Sequence, residues 1–188
     1  MDKKNLLTLP DNLPIPEDDG ACAHLDGLTM PSISLESTSG THVNLGLEKD
    51  TVVVYIYPLI GRPGGPPMVG WNDIPGARGC TPQSCAFRNL HSELTDLGAK
   101  VYGLSAQPLA DQKEAVERLH LPFALLNDSD FELTHALTLP TFQYESLCLI
   151  KRLTLVIKNG VIQKVFYPVF PPTENAANVI AWLKENNF

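Results

Sequence analysis

Seven consecutive residues, Thr51-Val-Val-Val-Tyr-Ile-Tyr57, are β-branched or aromatic, with no alternation of polar and apolar positions. A strand with one wet face alternates; a strand without alternation is covered on both faces. Covering it requires a layer above and a layer below a sheet. The segment that follows, Pro58 to Gly79, holds Gly61, Pro63, Gly64, Gly65, Pro66, Pro67, Gly70, Pro75, Gly76 and Gly79. That density of glycine and proline excludes both helix and strand. Loops this long inside compact domains are functional or mobile. A doubly covered strand feeding a long irregular loop limits the chain to layered α/β architectures.

The remaining pattern agrees. Thr81-Pro82 reads as a helix start, with Thr as N-cap and Pro at the first helical position. Phe87, Leu90, Leu94 and Leu97 then share one helical face, and Gly98 supplies the stop. Residues 100–106 (KVYGLSA) predict a strand, 110–119 (ADQKEAVERL) a helix, 122–126 a short strand and 130–137 a short helix. Strands at 153–158 and 161–167 are joined by Asn159-Gly160, a tight hairpin signal. Thr173 caps a last amphipathic helix carrying Val179, Ile180, Trp182 and Leu183. Alternating strands and helices ending in a hairpin and a helix predict a compact three-layer α/β domain with a mixed sheet. The expected division is a tether over residues 1–24, rich in Asp, Pro and Glu, and a domain over 25–188.

Composition removes several functions. The 188 residues carry 14 Lys plus Arg against 21 Asp plus Glu, a net charge of 14 − 21 = −7, which disfavours nucleic acid as a partner. No Gly-x-Gly-x-x-Gly follows the first strand and no Gly-Lys-Ser/Thr occurs, so the usual nucleotide cradles are missing. No run approaches the ~20 apolar residues of a membrane helix, nor the apolar core of a secretory signal. The expectation is a cytoplasmic protein with no membrane partner. His24, His42, His91, His120 and His135 fall at no zinc spacing and there is no Cys-x-x-Cys, so no metal is expected. Copper-delivery proteins with Cys-x-x-x-Cys have three residues between their cysteines; here there are four.

The 4 cysteines, Cys22, Cys80, Cys85 and Cys148, are too few for a disulfide framework. In a reducing compartment, cysteines that matter are catalytic, redox-active or metal-bound. Cys80 sits where the glycine-rich loop meets a helix start, and the free N–H groups and helix dipole there favour a thiolate over a thiol. Two small buried hydrophobes on a core helix is the competing reading. Cys85 lies five residues on; a rise of ~1.5 Å per residue puts it beyond the ~7 Å Cα limit of a disulfide on an intact helix. A transient bond coupled to local unwinding suits that spacing better than a permanent one. Cys148 reads as a buried strand residue and Cys22 as an incidental thiol beside the tether, open to pairing with another chain.

The segment Gly79-Cys80-Thr-Pro-Gln-Ser-Cys85-Ala-Phe-Arg88 resembles the active site of peroxiredoxins, in particular the Q-type (bacterioferritin comigratory protein-like) subfamily. The stretches 96–106, Leu121-Pro-Phe-Ala-Leu-Leu-Asn-Asp128 and Lys151-Arg152-Leu-Thr-Leu-Val-Ile-Lys-Asn-Gly160 extend the likeness over about residues 25–186. The resemblance implies a thioredoxin-like three-layer fold with a central mixed β-sheet, no metal or organic cofactor, a hydroperoxide substrate, and a thioredoxin-like dithiol reductant. It implies Cys80 as the peroxidatic cysteine, Cys85 as the resolving one, and Arg152 as the arginine that holds the thiolate and polarises the peroxide. An intrasubunit resolving cysteine leaves a monomer or a homodimer open.

Around these, Gly79 and Thr81 flank the nucleophile. With them, Arg88 and Gln83 are candidates for substrate binding or for support of the site; the competing readings are a surface ion-pair residue for Arg88 and, for Gln83, where many Q-type members carry Glu, a solvated first-turn residue. Two departures from the family pattern stand out. The family's Thr three positions before the cysteine is Ala77 here, and Pro58 lies 22 residues before Cys80 instead of seven, so 59–79 reads as an insertion of about 15 residues. Asn72, Arg62 and Arg78 are candidates to replace the lost hydroxyl. Trp71 reads as a lid, a subunit contact or a satellite cluster. The rival function is a redox-responsive binding protein on the same scaffold with little turnover.

Overall fold

The computed structural model describes residues 6–188. A short antiparallel hairpin, β1 (Leu35–Glu36) with β2 (His42–Val43), precedes β3 (Thr51–Ile56), the unalternated run of the sequence. The other strands of the main sheet are β4 (Ala99–Ser105), β5 (Leu125–Asn127), β8 (Leu153–Lys158) and β9 (Val161–Phe166), in the order β5-β4-β3-β8-β9. β3 pairs in parallel with β4 and antiparallel with β8, so the sheet is mixed. Every residue of β3 is buried, Val52 to Ile56 completely, as the pattern requires. Val53 and Tyr55 enter one core with Phe87, Leu94, Val179 and Leu183; Val52, Val54 and Ile56 enter the opposite core with Leu25, Leu133 and Leu137. Period-two alternation here sends apolar side chains to both layers.

The helices are α1 (Cys80–Asn89), α2 (His91–Asp96), α3 (Leu109–Leu119), α4 (Glu132–Ala136) and α5 (Asn175–Glu185). α1 and α2 replace the single helix expected over 81–97: Leu90, at φ −103° and ψ 10°, leaves helical geometry and the axis breaks there. The start also shifts. Gly79, not Thr81, is the N-cap, with φ 108°, and Cys80 is the first helical residue. A side chain at Gly79 would strike Pro172 and come within 2.9 Å of Leu9, so only glycine lets the loop, α1 and the approach to α5 meet this closely. Pro82 falls in the first turn, where its missing N–H costs nothing. Asn159 and Gly160 both have positive φ, 51° and 70°, the geometry of the expected hairpin turn between β8 and β9.

A second hairpin, β6 (Thr141–Tyr144) with β7 (Leu147–Ile150), stands apart from the main sheet. Its turn contains Glu145 at φ 51° instead of a glycine, so it carries no sequence signal. Cys148 lies on β7 and is half-buried.

Of the segment expected as a tether, 1–24, the first five residues lie outside the described ones; in the remainder Leu6 and Cys22 are buried. Asp19 forms an ion pair with Lys151 at 2.6 Å and accepts a hydrogen bond from the Tyr167 hydroxyl at 2.8 Å. Cys22 is therefore no exposed thiol: burial, with Asp19 and Asp18 nearby, pushes it up to about 12. Among the described residues no helix is long and apolar enough to cross a membrane.

Candidate active site

The site is assembled from three separate parts of the chain: the end of the long loop, the first turn of α1, and Arg152 between β7 and β8. Cys80 is buried at 2% exposure. Its thiol donates to the Ala77 carbonyl at 3.6 Å, and Arg152 Nη2 donates to its Sγ at 3.1 Å. Arg152, at 3% exposure, also donates to the backbone carbonyls of Gly76 (3.1 Å), Ala77 (3.0 Å) and Arg78 (3.2 Å) and to the side-chain oxygen of Gln83. The glycine-rich loop thus turns its carbonyls inward as a cradle for the guanidinium. Arg152 has no carboxylate partner among the described residues.

Gln83 is wholly buried, so of its two readings the solvated one falls. It stands about one helical turn after Cys80 and faces the guanidinium. Its Nε2 donates to Asn175 Oδ1 at 2.9 Å, and the Thr154 hydroxyl donates to the same oxygen at 2.7 Å. Asn175 and Thr154 went unnoticed in the sequence; both are distant from Cys80 along the chain, and only the fold brings α5 and β8 to α1. Tyr55 anchors the other side of α1, stacking on Phe87 at 4.4 Å and donating to Ser84 Oγ at 3.1 Å.

Thr81 and Gly79 line a cavity of about 10 Å³ over Cys80, closed by Leu6, Leu59, Met68 and Trp71. That volume holds roughly one water. Trp71 is buried in a satellite cluster with Ala77, Tyr144 and Leu149, and so roofs the site as part of that cluster. Of the three candidates to replace the missing hydroxyl, Arg62 is taken by an ion pair with Asp111, and Asn72 is exposed. Arg78 is buried and lines the cavity; burial lowers it from the usual guanidinium range while charge on Cys80 opposes that. A larger cavity of about 440 Å³, bounded by Pro16, Gly76, Phe142, Lys151, Arg152 and Tyr167, adjoins the guanidinium; Cys80 does not line it.

Cys85 is a free, half-buried thiol on the same unbroken helix as Cys80. Burial pushes it up, against the pull of the Arg88 and Arg118 charges. Arg88 does not reach Cys80: its guanidinium donates to the Leu119 carbonyl at 2.7 Å and to Asn89, so its field acts on Cys85. Among the described residues no three His, Cys, Asp or Glu side chains gather as a metal ion requires. The arrangement can hold an anionic sulfur beside a guanidinium in a nearly dry pocket, with a second thiol on the same helix.

A family model described as Redoxin matches residues 25–180. "Peroxiredoxin Q, chloroplastic" of Sedum lineare is 31% identical over 160 residues, 84% of this chain and 77% of that protein. The protein of that name in Oryza sativa subsp. japonica is also 31% identical over 160 residues, of which this chain spans only 66% of the length. Among solved structures, peroxidoxin BcpB of Mycobacterium tuberculosis superposes with a TM-score of 0.69 at 24% identity, covering 85% of this chain and 96% of that one. The bacterioferritin comigratory protein of Xanthomonas campestris, described with alkyl peroxide reduction activity, gives a TM-score of 0.69 at 21% identity, covering 87% and 100%.

Proposed function

We propose, from the premise that this chain belongs to the redoxin family and within it to the peroxiredoxins of the Q type, that Cys80 is the nucleophile of a thiol-dependent peroxidase. The observation that carries the reading is Arg152 Nη2 at 3.1 Å from Cys80 Sγ in a buried pocket. The Cys80 thiolate attacks the distal oxygen of a hydroperoxide. A sulfur–oxygen bond forms, the O–O bond breaks, and the proximal oxygen leaves as an alcohol or water once protonated. Sulfur loses two electrons and becomes a sulfenic acid. Arg152 is suited to both partners because it stays charged and presents several fixed donors. Cys85 as thiolate then attacks the sulfenyl sulfur, the S–O bond breaks, hydroxide leaves and takes a proton from solvent to become water, and a Cys80–Cys85 disulfide results. Two thiols of a thioredoxin-like reductant return the pair to the reduced state by exchange.

The roof over Cys80 has room for about one water, so a substituted hydroperoxide requires the Leu6–Trp71 roof to part. A reducing compartment such as the cytoplasm suits the cycle. The rival reading, a redox-responsive binding protein, has no observation of its own behind it. The test is peroxide consumption coupled to a dithiol reductant. Cys80→Ser is expected to abolish turnover; Cys85→Ser keeps the first oxidation but not efficient recycling. Turnover at the parent rate in both variants would overturn the assignment.

A further inference from the structure

We propose that Asn175 and Thr154 are positioning residues for the active-site guanidinium, acting through Gln83. The inference rests on the peroxidase reading above and adds residues to its machinery. Arg152 is a donor only. Whatever faces its Nη1 must be an acceptor, so the Gln83 amide is held with Oε1 toward Arg152 and Nε2 away from it. With Gln83 wholly buried, that Nε2 needs an acceptor in turn. Asn175 Oδ1 provides it at 2.9 Å, and the Thr154 hydroxyl donates to the same oxygen at 2.7 Å. All four side chains are at most 3% exposed, so water cannot take over any link.

The polarity of the chain is therefore fixed from end to end. Thr154 points a proton at Asn175, which keeps its oxygen toward Gln83, which keeps its own oxygen toward Arg152. A flipped Gln83 would set N–H against N–H at the guanidinium, so the donor-only Arg152 fixes Gln83 and Gln83 in turn fixes Asn175, while the Thr154 hydroxyl, able to donate or accept, completes the chain. The relay also stays neutral. Because it ends in an amide, the buried charge of Arg152 meets carbonyl dipoles, an amide oxygen and the sulfur, and no competing carboxylate among the described residues. The Cys80 sulfur is the one ionisable side chain that the guanidinium touches among the described residues. Asn175 sits at the first position of α5, and Pro172, just before it, packs against Gly79. The helix that carries the relay thus abuts the residue before the nucleophile.

The test is the second-order rate of Cys80 oxidation by hydrogen peroxide, followed by stopped-flow fluorescence, in the parent and in Asn175→Leu, Asn175→Asp and Gln83→Met. Leu matches the bulk of Asn without an acceptor; Asp retains the acceptor. The expected result is about a tenfold loss in Asn175→Leu and within about threefold of the parent in Asn175→Asp. A residue needed only for packing would give the reverse order, or parent-like rates in both, and either would overturn the inference. If Asn175→Leu does not fold, Gln83→Met decides: about a tenfold loss supports the relay, and an unchanged rate overturns it. A parent in which Cys80 does not react with peroxide at all removes the peroxidase reading, and this inference with it. A reactive parent with an unaffected Asn175→Leu removes the inference alone.

Discussion

Arg152 directs its donors at one sulfur, one amide oxygen and three backbone carbonyls, a set that a lysine cannot reproduce. An ammonium has three donors and no fixed fork. Arg152→Lys is expected to lower the rate of Cys80 oxidation by about 10- to 100-fold, the equivalent of losing one charge-assisted hydrogen bond of ~1.5–3 kcal/mol. Stopped-flow oxidation measures it, and an unchanged rate would refute the role given to the guanidinium. The loop's contribution lies in its backbone: Ala77 offers no hydroxyl, but its carbonyl touches both Cys80 and Arg152. Cys85 sits in the opposite circumstance. Burial holds it above the ordinary thiol range, so little thiolate is present near neutrality. Since the thiolate is the attacking species, disulfide formation from oxidised Cys80 is expected to speed up as pH rises from ~7 to ~9.

At the scale of elements, α1 carries both cysteines, and an intact helix holds them too far apart to bond. A Cys80–Cys85 disulfide therefore requires the first turns of α1 to open, which would also expose Cys85 and lift the burial that pushes its thiol up. If opening is a pre-equilibrium, weakening the helix accelerates the step. Ala86→Gly, costing ~1 kcal/mol of helix stability, is expected to raise the rate of disulfide formation about fivefold while leaving the first oxidation unchanged; rapid-quench alkylation checks this. The N-terminal segment is the second moving part. Leu6 roofs Cys80, and the segment is anchored by Asp19 on Lys151 and Tyr167. Those hydrogen bonds, Lys151 first, hold the Asp19 carboxyl down at about 2. A depressed carboxyl contributes above its ordinary range and stops contributing as pH falls through the folded value. The anchor is thus expected to stay charged at pH 4 and to titrate only near pH 2, as carboxyl chemical shifts in NMR would show.

For the whole molecule, legibility in the sequence follows the range of the interaction. The doubly buried β3, the Asn159-Gly160 turn and the helix after Cys80 are local patterns, and they read through. Cys80, Cys85 and Arg152 stand out through the family resemblance, and the structure sets Arg152 beside Cys80 with Cys85 on the same helix. What stayed hidden depends on contacts between distant segments. Gln83 is buried against Arg152 and Asn175, side chains far from it along the chain. Asn175 joins the site from 92 residues beyond Gln83. The N-terminal segment looks like a tether because its composition is polar, yet Leu6, Pro16 and Asp19 each find a partner on the domain. These parts converge on one chemical claim, that Cys80 and Cys85 form an intramolecular disulfide through oxidation at Cys80. The direct test is mass spectrometry of the reduced protein after one equivalent of hydrogen peroxide, with remaining thiols alkylated. The account predicts a Cys80–Cys85 disulfide within seconds, with Cys22 and Cys148 still as thiols. Recovery of Cys80 as a free, alkylated thiol would contradict it.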